Sequence, residues 1–454
     1  MADTQLAAND ASYYYLARSG RNTDWPMWWV FDAADGAAPT AAEITRHFTE
    51  RAELLAPLRR RIHEVPAGLG HPYWAVDDSP IESHLSIETE PLEWARCLER
   101  IGAILSEPLD ARVRAWQAHV FTAVSGIESL PGTGVLVLVQ VSHALLAGPA
   151  MTALADTLFA ADPVALMIQG QGPAADRPRT GVPAVAGALS WPARMLRFTQ
   201  GVRAENRRLA RDGDADDANI TPRTKTVLNA RIGAGRAVRT IPLPLAAVRR
   251  PGSTVTAVGL TAISRALERY LDKRSGECPA DLTALVTVAL PPSPVLGVNH
   301  IGAAGVDLFP AEPDLAARAR AVEDSLRAHR DAPSSRRELN RLGLIELLPS
   351  RVFRARFGTL PPADPAAPAF GHTILTSIRC EPAGAWSLLG GAFRFAGMLP
   401  PVFPEIGLAH SFVGAGDSFT LSVVADPALV AEVDEYADLL RAAVHEVADA
   451  LTAS

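Results

Sequence analysis

The chain has 454 residues, of which 48% are hydrophobic and 20% are charged, and its formal net charge is -7 at pH 7. This composition is typical of globular proteins and excludes a disordered, collagen-like or coiled-coil chain, and the length suggests two or three domains. The acidic balance lacks the concentrated positive field that nucleic acids require, so no nucleic-acid partner is predicted.

Cysteine usage and the N-terminal composition bear on the cellular compartment. Cys97, Cys278 and Cys380 stand far apart without a CxxC pair, so neither a disulfide framework nor a clustered-thiolate zinc site is predicted. The N-terminal segment lacks the basic start and apolar run of a signal peptide. We therefore expect a cytoplasmic protein without a metal site.

In the N-terminal third of the chain, the hydrophobic pattern predicts strands that alternate with helices. The predicted strands are residues 27–31, 113–122 and 134–141, and the predicted helices are 41–58, 91–105 and 150–160. The strand 134–141 (GVLVLVQV) is almost wholly apolar, which is typical of a strand that is buried on both faces. It is much too short to cross a bilayer alone.

Residues 169–223 separate this region from a second region of alternating elements. The segment contains a Gly/Pro-rich stretch, an amphipathic basic helix predicted at 191–212, and a second polar break. After it, the predicted strands are 239–243, 282–290, 302–309, 373–380 and 418–425, and the predicted helices are 253–271, 315–330 and 427–451. We therefore predict two α/β halves, 1–168 and 224–454, joined by a linker at 169–223.

One further apolar stretch, residues 386–412, is long enough to be considered as a membrane span. Glycines and prolines interrupt it, and Arg394 and Glu405 would be costly in lipid. No transmembrane helix is predicted from the sequence.

Several common catalytic and binding motifs are absent. The sequence contains no Walker A loop, no GxGxxG after a strand, no GxSxG nucleophile elbow and no HExxH pair. Phosphate cradling, dinucleotide binding, serine hydrolysis and zinc proteolysis therefore lack their usual sequence support.

Residues 142–148 (SHALLAG) follow the buried strand and precede the helix predicted at 150–160. A turn between a strand and a helix places its side chains at the edge of a sheet, and Gly148 allows close backbone approach. His143 is well placed there as a general base, because imidazole accepts a proton at neutral pH. A capping or core histidine is an equally good interpretation of these residues alone.

The same segment resembles the HHxxxDG signature of the bacterial wax ester synthase/acyl-CoA:diacylglycerol acyltransferase family, itself similar to the condensation domains of peptide synthetases. The resemblance continues from about residue 8 to 450. In chain order it includes residues 9–11 (NDA), 71–74 (HPYW) with His84, 108–116 (PLDARVRAW, similar to PLDxxRPLW), 228–236 (LNARIGAGR) and 418–426 (SFTLSVVAD).

This resemblance implies an α/β fold of two chloramphenicol-acetyltransferase-like lobes, with mixed sheets flanked by helices and a tunnel between the lobes. It implies acyl-CoA as co-substrate, a hydroxyl or amine acceptor and no permanently bound cofactor. His143 matches the histidine proposed as the base in the family, and backbone N–H groups around Gly148 are candidates to stabilise an oxyanion. Peripheral contact with a membrane or lipid droplets is a further expectation.

The chain departs from the family pattern at several positions. Ser142 replaces the first motif histidine, Ala147 the motif aspartate, and Val113 the arginine of PLDxxRPLW. The usual Asn-Asp pair of the second half falls at residues 256–257 (TA), and the late Ser-Asn-Val-Pro-Gly-Pro stretch at 377–382 (SIRCEP). If the aspartate and the arginine pair with each other in the family, their joint loss leaves no unpaired charge.

Four residues besides His143 and Gly148 are candidates for the substrate pocket, namely Ser142, Ala147, Asn229 and Arg236. We interpret Ser142 as structural or pocket-shaping, because adjacent side chains at a strand end point apart and disfavour a nucleophile–base dyad with His143. Asn229 and Arg236 are equally well interpreted as substrate contacts or as structural hydrogen-bonding groups at the lobe boundary. Trp116 is expected in the core.

Three functions fit the sequence. The first is an acyl-CoA-dependent O-acyltransferase that transfers a fatty acyl group to an alcohol or diacylglycerol, as in wax ester or triacylglycerol synthesis. The second keeps the fold and the base but acylates a specialised metabolite, which the altered motif positions suggest. The third is a non-catalytic homologue that binds lipid or a partner. The retained His143 favours catalysis.

Overall fold

Two mixed β-sheets form the framework of the chain. The structure is a computed structural model and describes residues 5–453 except 177–180, 213–220, 292, 294–295, 330–331, 360–367 and 382–383. Its helices are α1 (Ala8–Arg18), α2 (Ala41–Glu50), α3 (Trp94–Leu105), α4 (Pro149–Phe159), α5 (Gly181–Asp212), α6 (Leu245–Val248), α7 (Val255–Ser275), α8 (Leu315–Ala328), α9 (Ala332–Leu347), α10 (Ser350–Phe357) and α11 (Val433–Ala453). Its strands are β1 (Met27–Asp32), β2 (Arg60–His63), β3 (Tyr73–Val76), β4 (Leu85–Glu88), β5 (Leu92–Glu93), β6 (Trp116–Ser125), β7 (Gly134–Val141), β8 (Ala237–Pro244), β9 (Thr283–Ala289), β10 (Ile301–Asp307), β11 (Thr373–Cys380), β12 (Ser387–Leu388), β13 (Gly391–Met398), β14 (Leu408–Ala415) and β15 (Ser418–Ala425).

The first sheet is built around the apolar strand β7. Its strand order is β12-β13-β1-β7-β6-β4, and β5 also pairs with β6. β1 and β6 flank β7 in antiparallel orientation, whereas β4 and β5 run parallel to β6. Every residue of β7 is buried, as the sequence of this strand predicts.

The second sheet has the order β10-β9-β11-β14-β15-β8. β11 runs parallel to both β9 and β14, and the other pairs are antiparallel. Helices α7, α8 and α11 share a buried apolar cluster with this sheet. The predicted α/β class with mixed sheets and flanking helices is confirmed.

A hairpin from the C-terminal region joins the first sheet. β13 pairs antiparallel with β1, from Met27 opposite Met398 to Phe31 opposite Phe393. Phe353 of α10 is likewise buried in the apolar cluster around the first sheet. The predicted boundaries at residues 168 and 223 stay a prediction. Both β13 and α10 belong to the predicted second half but pack with the first sheet.

A third apolar cluster lies where the two halves meet. It combines Trp28 and Leu138 of the first sheet with Val238, Ile374 and Val424 of the second. Burial of this shared apolar surface stabilises the relative placement of the two sheets. The halves are therefore packed against each other and not merely tethered.

Several element boundaries differ from the sequence predictions for local reasons. The predicted helix 41–58 ends at Glu50, and Pro57, which has no N–H to donate, lies in a separate short turn. The predicted strand 113–122 begins only at Trp116, because the N–H of Val113 closes a turn onto the carbonyl of Asp110. The final helix begins at Val433, after turns in which Asp426 accepts N–H groups.

The apolar stretch 386–412 supplies β12, β13 and part of β14. Within the described ranges, none of the helices combines the length and the hydropathy of a membrane span. The sequence analysis also missed α1, α9 and α10, of which α1 packs against both of the others.

The pairing of β13 with β1 depends on Gly397. A Cβ atom at this residue would lie 2.2 Å from the Trp28 ring, so we expect Gly397→Ala to lower the free energy of unfolding by about 1–3 kcal/mol. Gly414→Ala, in β14, is the matched control, because a Cβ there meets nothing within 4 Å. Denaturant unfolding of both variants measures the difference, and equal stabilities would contradict the close packing at Gly397.

Candidate active site

A cavity of about 890 Å³ lies between elements of both halves. This volume is within the range of sites that bind small molecules. Apolar side chains form most of its wall, and they include Leu16, Trp25, Leu285, Ile301, Leu342, Ile374, Ile378, Pro400, Pro401 and Phe403. Polar side chains also line it, namely His143, Asn9, Tyr13, Thr23, Thr152, Thr287, Thr376, Ser377, Glu338, Arg341, Arg379 and Glu381.

The turn after β7 brings His143 to this cavity. The N–H of Ser142 bonds to the carbonyl of Ala115 at 2.8 Å, which continues the pairing of β7 with its neighbour by one residue. The N–H of Leu145 then bonds to the carbonyl of Ser142 at 2.8 Å and turns the chain toward α4. His143 and Gly148, at opposite ends of the turn, both line the cavity.

Two aromatic rings enclose the imidazole of His143. The ring of Tyr13, from α1, stacks on it with a centroid distance of 4.1 Å and an interplanar angle of 12°. Trp25 lies nearly parallel, with a centroid distance of 5.5 Å. The N–H of Trp25 bonds to the carbonyl of Val141 at 2.8 Å, so the indole is held beside the turn.

Burial makes His143 a neutral imidazole at physiological pH. The side chain is buried, and desolvation lowers its pKa to about 4, against the smaller opposing effects of its own backbone carbonyl and of Asn299. A neutral ring keeps one nitrogen lone pair available to accept a proton. The site therefore supports general-base chemistry.

Asn299, from the loop before β10, connects this turn to α1. Its Nδ2 donates to Asp10 Oδ1 and to the backbone carbonyl of His143, each at 2.7 Å. Asp10 also accepts the N–H of Val298 at 3.0 Å, and Asn9 Nδ2 donates to the carbonyl of Asn299 at 2.9 Å. Burial raises the pKa of Asp10 to about 7, against the lowering effect of these hydrogen bonds.

Over residues 6–257, more than half of the chain, the sequence matches the family model described as the wax ester synthase/diacylglycerol acyltransferase catalytic domain. The chain belongs to the wax ester synthase/diacylglycerol acyltransferase family. The resemblance drawn from the SHALLAG segment is thereby confirmed, and this member of the family is an acyltransferase.

Relatives and solved structures agree with this assignment. A probable diacylglycerol O-acyltransferase of Mycobacterium tuberculosis is 25% identical over 334 residues, which are 70% of this chain and 72% of that protein. The wax ester synthase/diacylglycerol acyltransferase from Marinobacter aquaeolei VT8 has a TM-score of 0.64 at 16% identity, covering 98% of both chains. A starter condensation domain of rhizomide synthetase RzmA, solved with C8-CoA and Leu-SNAC, has a TM-score of 0.54 at 10% identity and covers 99% of this chain and 94% of that chain. These structural matches confirm the two-lobed acyltransferase fold.

Within this acyltransferase, the two replaced residues of the SHALLAG segment lie in the core. Ser142 and Ala147 are both buried, and Ala147 belongs to the apolar cluster of the first sheet. Neither is among the described residues that line the cavity. Val113 is 63% exposed, so the positions of the motif aspartate and the PLDxxRPLW arginine lie in different environments in this acyltransferase.

The other candidates make hydrogen bonds within the protein. Asn229 accepts from the Thr226 hydroxyl at 3.1 Å and donates to the carbonyls of Gly371 and Glu405 at 2.8 and 3.0 Å. Arg236 donates to nearby backbone carbonyls, and its own carbonyl packs against Gly102 of α3. These contacts favour the structural interpretation of both residues.

The matched histidine and tryptophan of the early segments form a packing unit. Trp116 is buried, and His84 stacks on its ring with a centroid distance of 4.6 Å. His84 Nδ1 also lies 3.1 Å from the Trp116 carbonyl, and its Nε2 lies 3.4 Å from Asp77. The expectation that Trp116 belongs to the core agrees with this packing.

Tyr13, Trp25 and Asn299 of this acyltransferase were missed by the sequence analysis. Tyr13 follows the Asn-Asp-Ala segment that resembles the family's opening, so its proximity to that segment was an available signal. Asn299 lies 156 residues from His143, and nothing in the local pattern connects the two. Contacts of this kind appear only when the halves pack together.

The low pKa of His143 predicts how one substitution changes acid stability. Between pH 6.5 and about 4 an unfolded chain protonates this side chain while the folded acyltransferase does not, so folding loses stability as pH falls through that window. His143→Gln removes this contribution, and we expect its free energy of unfolding to fall less than that of the wild type between pH 8 and 4. Denaturant unfolding at the two pH values measures this, and identical losses would contradict the burial of a neutral His143.

Proposed function

We propose that this protein transfers a fatty acyl group from an acyl-CoA thioester to a hydroxyl acceptor, with His143 as general base. The observation that carries the proposal is the position of His143 in the wall of a largely apolar cavity between the two halves. Family membership supports the reaction class, and the C8-CoA bound by the related condensation domain supports a CoA thioester as donor.

The proposed reaction needs only this one base to carry the proton from the acceptor hydroxyl to the departing thiolate. The acceptor hydroxyl gives its proton to His143 while its oxygen attacks the thioester carbonyl. The tetrahedral intermediate then expels the CoA thiolate, which takes the proton from His143, so an ester and free CoA are formed. Backbone N–H groups around Gly148 are the proposed donors to the oxyanion.

The lining of the cavity bears on the substrates. The apolar wall suits a fatty acyl chain and a lipid acceptor such as a long-chain alcohol or diacylglycerol. A charged pair also lies in this wall, with Arg341 Nε donating to Glu338 at 2.8 Å. This pair favours, as a second candidate, an acceptor with polar groups, such as a specialised metabolite with a hydroxyl or amine.

Substitution of His143 tests the proposed base. We expect His143→Gln to reduce acceptor-dependent release of CoA thiol by about 10²- to 10⁴-fold, because no other histidine is among the described residues that line the cavity. Release is measured with a series of acyl-CoAs and with a long-chain alcohol, diacylglycerol or no acceptor.

His119→Gln is the matched control for this experiment. His119 lies on β6 outside the described cavity lining, and burial lowers its pKa to about 4, as it does for His143. We expect this control to keep the wild-type rate. Full activity of His143→Gln would exclude His143 as the base, and no release by the wild type would favour a specialised acceptor or a binding function.

We also propose that the outer face of α5 contacts an anionic lipid surface. Val182, Val185, Leu189 and Leu196 share this face, and each is more than half exposed. Further along the same face lie the exposed Arg203 and Arg207. An apolar face continued by cationic side chains is typical of helices that lie in a membrane interface.

Vesicle binding tests this surface. We expect the wild type to float with vesicles containing phosphatidylglycerol, and Leu189→Glu/Leu196→Glu to lose most of that binding because carboxylates replace the apolar contact. Val227→Glu, at an exposed valine elsewhere, is the control. Equal flotation of the two variants would contradict a role for α5.

A further inference from the structure

We propose that Asn299 positions the imidazole of His143 by accepting a hydrogen bond from its Nδ1–H on Oδ1. The inference extends the proposed function, since it concerns how the base presents its lone pair. Asn299 is a positioning residue in this proposal, because it acts on His143 and not on the substrate.

Two buried atoms near each other have complementary unmet hydrogen bonds. In the described part of the chain, neither His143 Nδ1 nor Asn299 Oδ1 has a hydrogen-bond partner of good geometry, and the Asn299 side chain and the His143 carbonyl are close enough to the imidazole to raise its pKa. The two residues are already joined by the 2.7 Å bond from Asn299 Nδ2 to the His143 carbonyl. Buried polar atoms are nearly always paired, so a small adjustment that joins these two atoms is favourable.

The surrounding network fixes the orientation of the Asn299 side chain. Its Nδ2 faces two acceptors, Asp10 Oδ1 and the His143 carbonyl. An exchange of the amide oxygen and nitrogen would place the oxygen against the His143 carbonyl, which has no proton to donate. Oδ1 therefore faces away from both groups and is an acceptor only.

The stacked aromatic rings do not determine which ring nitrogen of His143 faces Asn299. Stacking between Tyr13 and Trp25 fixes the plane of the imidazole, but a half-turn of the ring preserves both contacts. A bond from Nδ1–H to Asn299 selects one orientation and one tautomer, which leaves the lone pair on Nε2. The same arrangement of a base oriented by a third group is widespread in catalytic sites.

Asn299 supplies this orientation from the second half of the chain. The neighbouring motif positions do not provide it, because Ala147 has no polar side-chain atom and no hydrogen bond joins the Ser142 hydroxyl to His143 Nδ1 among the described residues. Asp10 and Asn9 of α1 hold Asn299 in turn. The imidazole is therefore oriented only when α1, the turn after β7 and the loop before β10 come together.

Nitrogen-15 NMR of histidine-labelled full-length protein tests the inference without substrate. The His143 signals are assigned by their loss in His143→Gln. We expect Nδ1 to carry the proton in the wild type at pH 7, and Asn299→Leu to give a mixture of tautomers. Asn229→Leu removes a buried amide with several hydrogen bonds elsewhere and should leave the His143 signals unchanged.

A second variant covers the case in which Asn299→Leu does not fold. Asp10→Asn/Asn299→Asp keeps a donor–acceptor pair between the two positions and places a carboxylate beside Nδ1, although it removes the hydrogen bond that Asn299 donates to the His143 carbonyl. We expect the NMR titration of His143 to move to higher pH, because the carboxylate favours the protonated ring. An unmoved titration, or a wild-type proton on Nε2, would overturn the inference.

Kinetics separate this inference from the proposed function. We expect Asn299→Leu to lower kcat by about 10- to 100-fold with little change in KM, because the orientation of the base and not substrate binding is altered. An unchanged tautomer in Asn299→Leu overturns the positioning role even if activity falls. If the wild type transfers no acyl group but the tautomer depends on Asn299, the proposed function fails and the inference stands.

Discussion

The hydrogen bonds of Asn299 are the interaction on which the arrangement of the site depends. One amide nitrogen joins the carboxylate of Asp10 to the backbone of His143, so three distant segments meet at a single side chain. All three residues are buried, and an unpaired polar group there would be costly. A change in the packing of the two halves would therefore alter the hydrogen bond at the backbone of His143.

The environment of His143 shows how a member of this family can hold this histidine in place among altered motif residues. Apolar and aromatic surroundings remove water from the ring and lower the pKa of His143 to about 4. The rings of Tyr13 and Trp25 hold its plane through stacking, which needs neither the first motif histidine nor the motif aspartate. Ser142 and Ala147 can then be absorbed into the apolar core around the turn.

The positions of β13 and α9 explain why residues of both halves line the cavity. β13 extends the first sheet by pairing with β1, and residues that follow it, Pro400, Pro401 and Phe403, line the cavity. α9 returns from the second region and contributes Glu338 and Arg341 to the same wall. Leu285 and Ile374 belong both to the apolar cluster shared by the two sheets and to the cavity wall, so the packing of the halves forms part of the cavity.

The amino-acid pattern by itself determined the alternation of elements, the buried strand β7 with its bounds, the family and the place of His143. These features are local, because hydrophobic periodicity and the SHALLAG segment are contained within short stretches of chain. The tertiary structure alone decided that Tyr13, Trp25 and Asn299 surround the imidazole, that residues 391–398 join the first sheet, and that Asn229 and Arg236 bond within the protein. These depend on contacts between residues far apart in sequence, and a periodic pattern carries no information about which distant partner a side chain will meet.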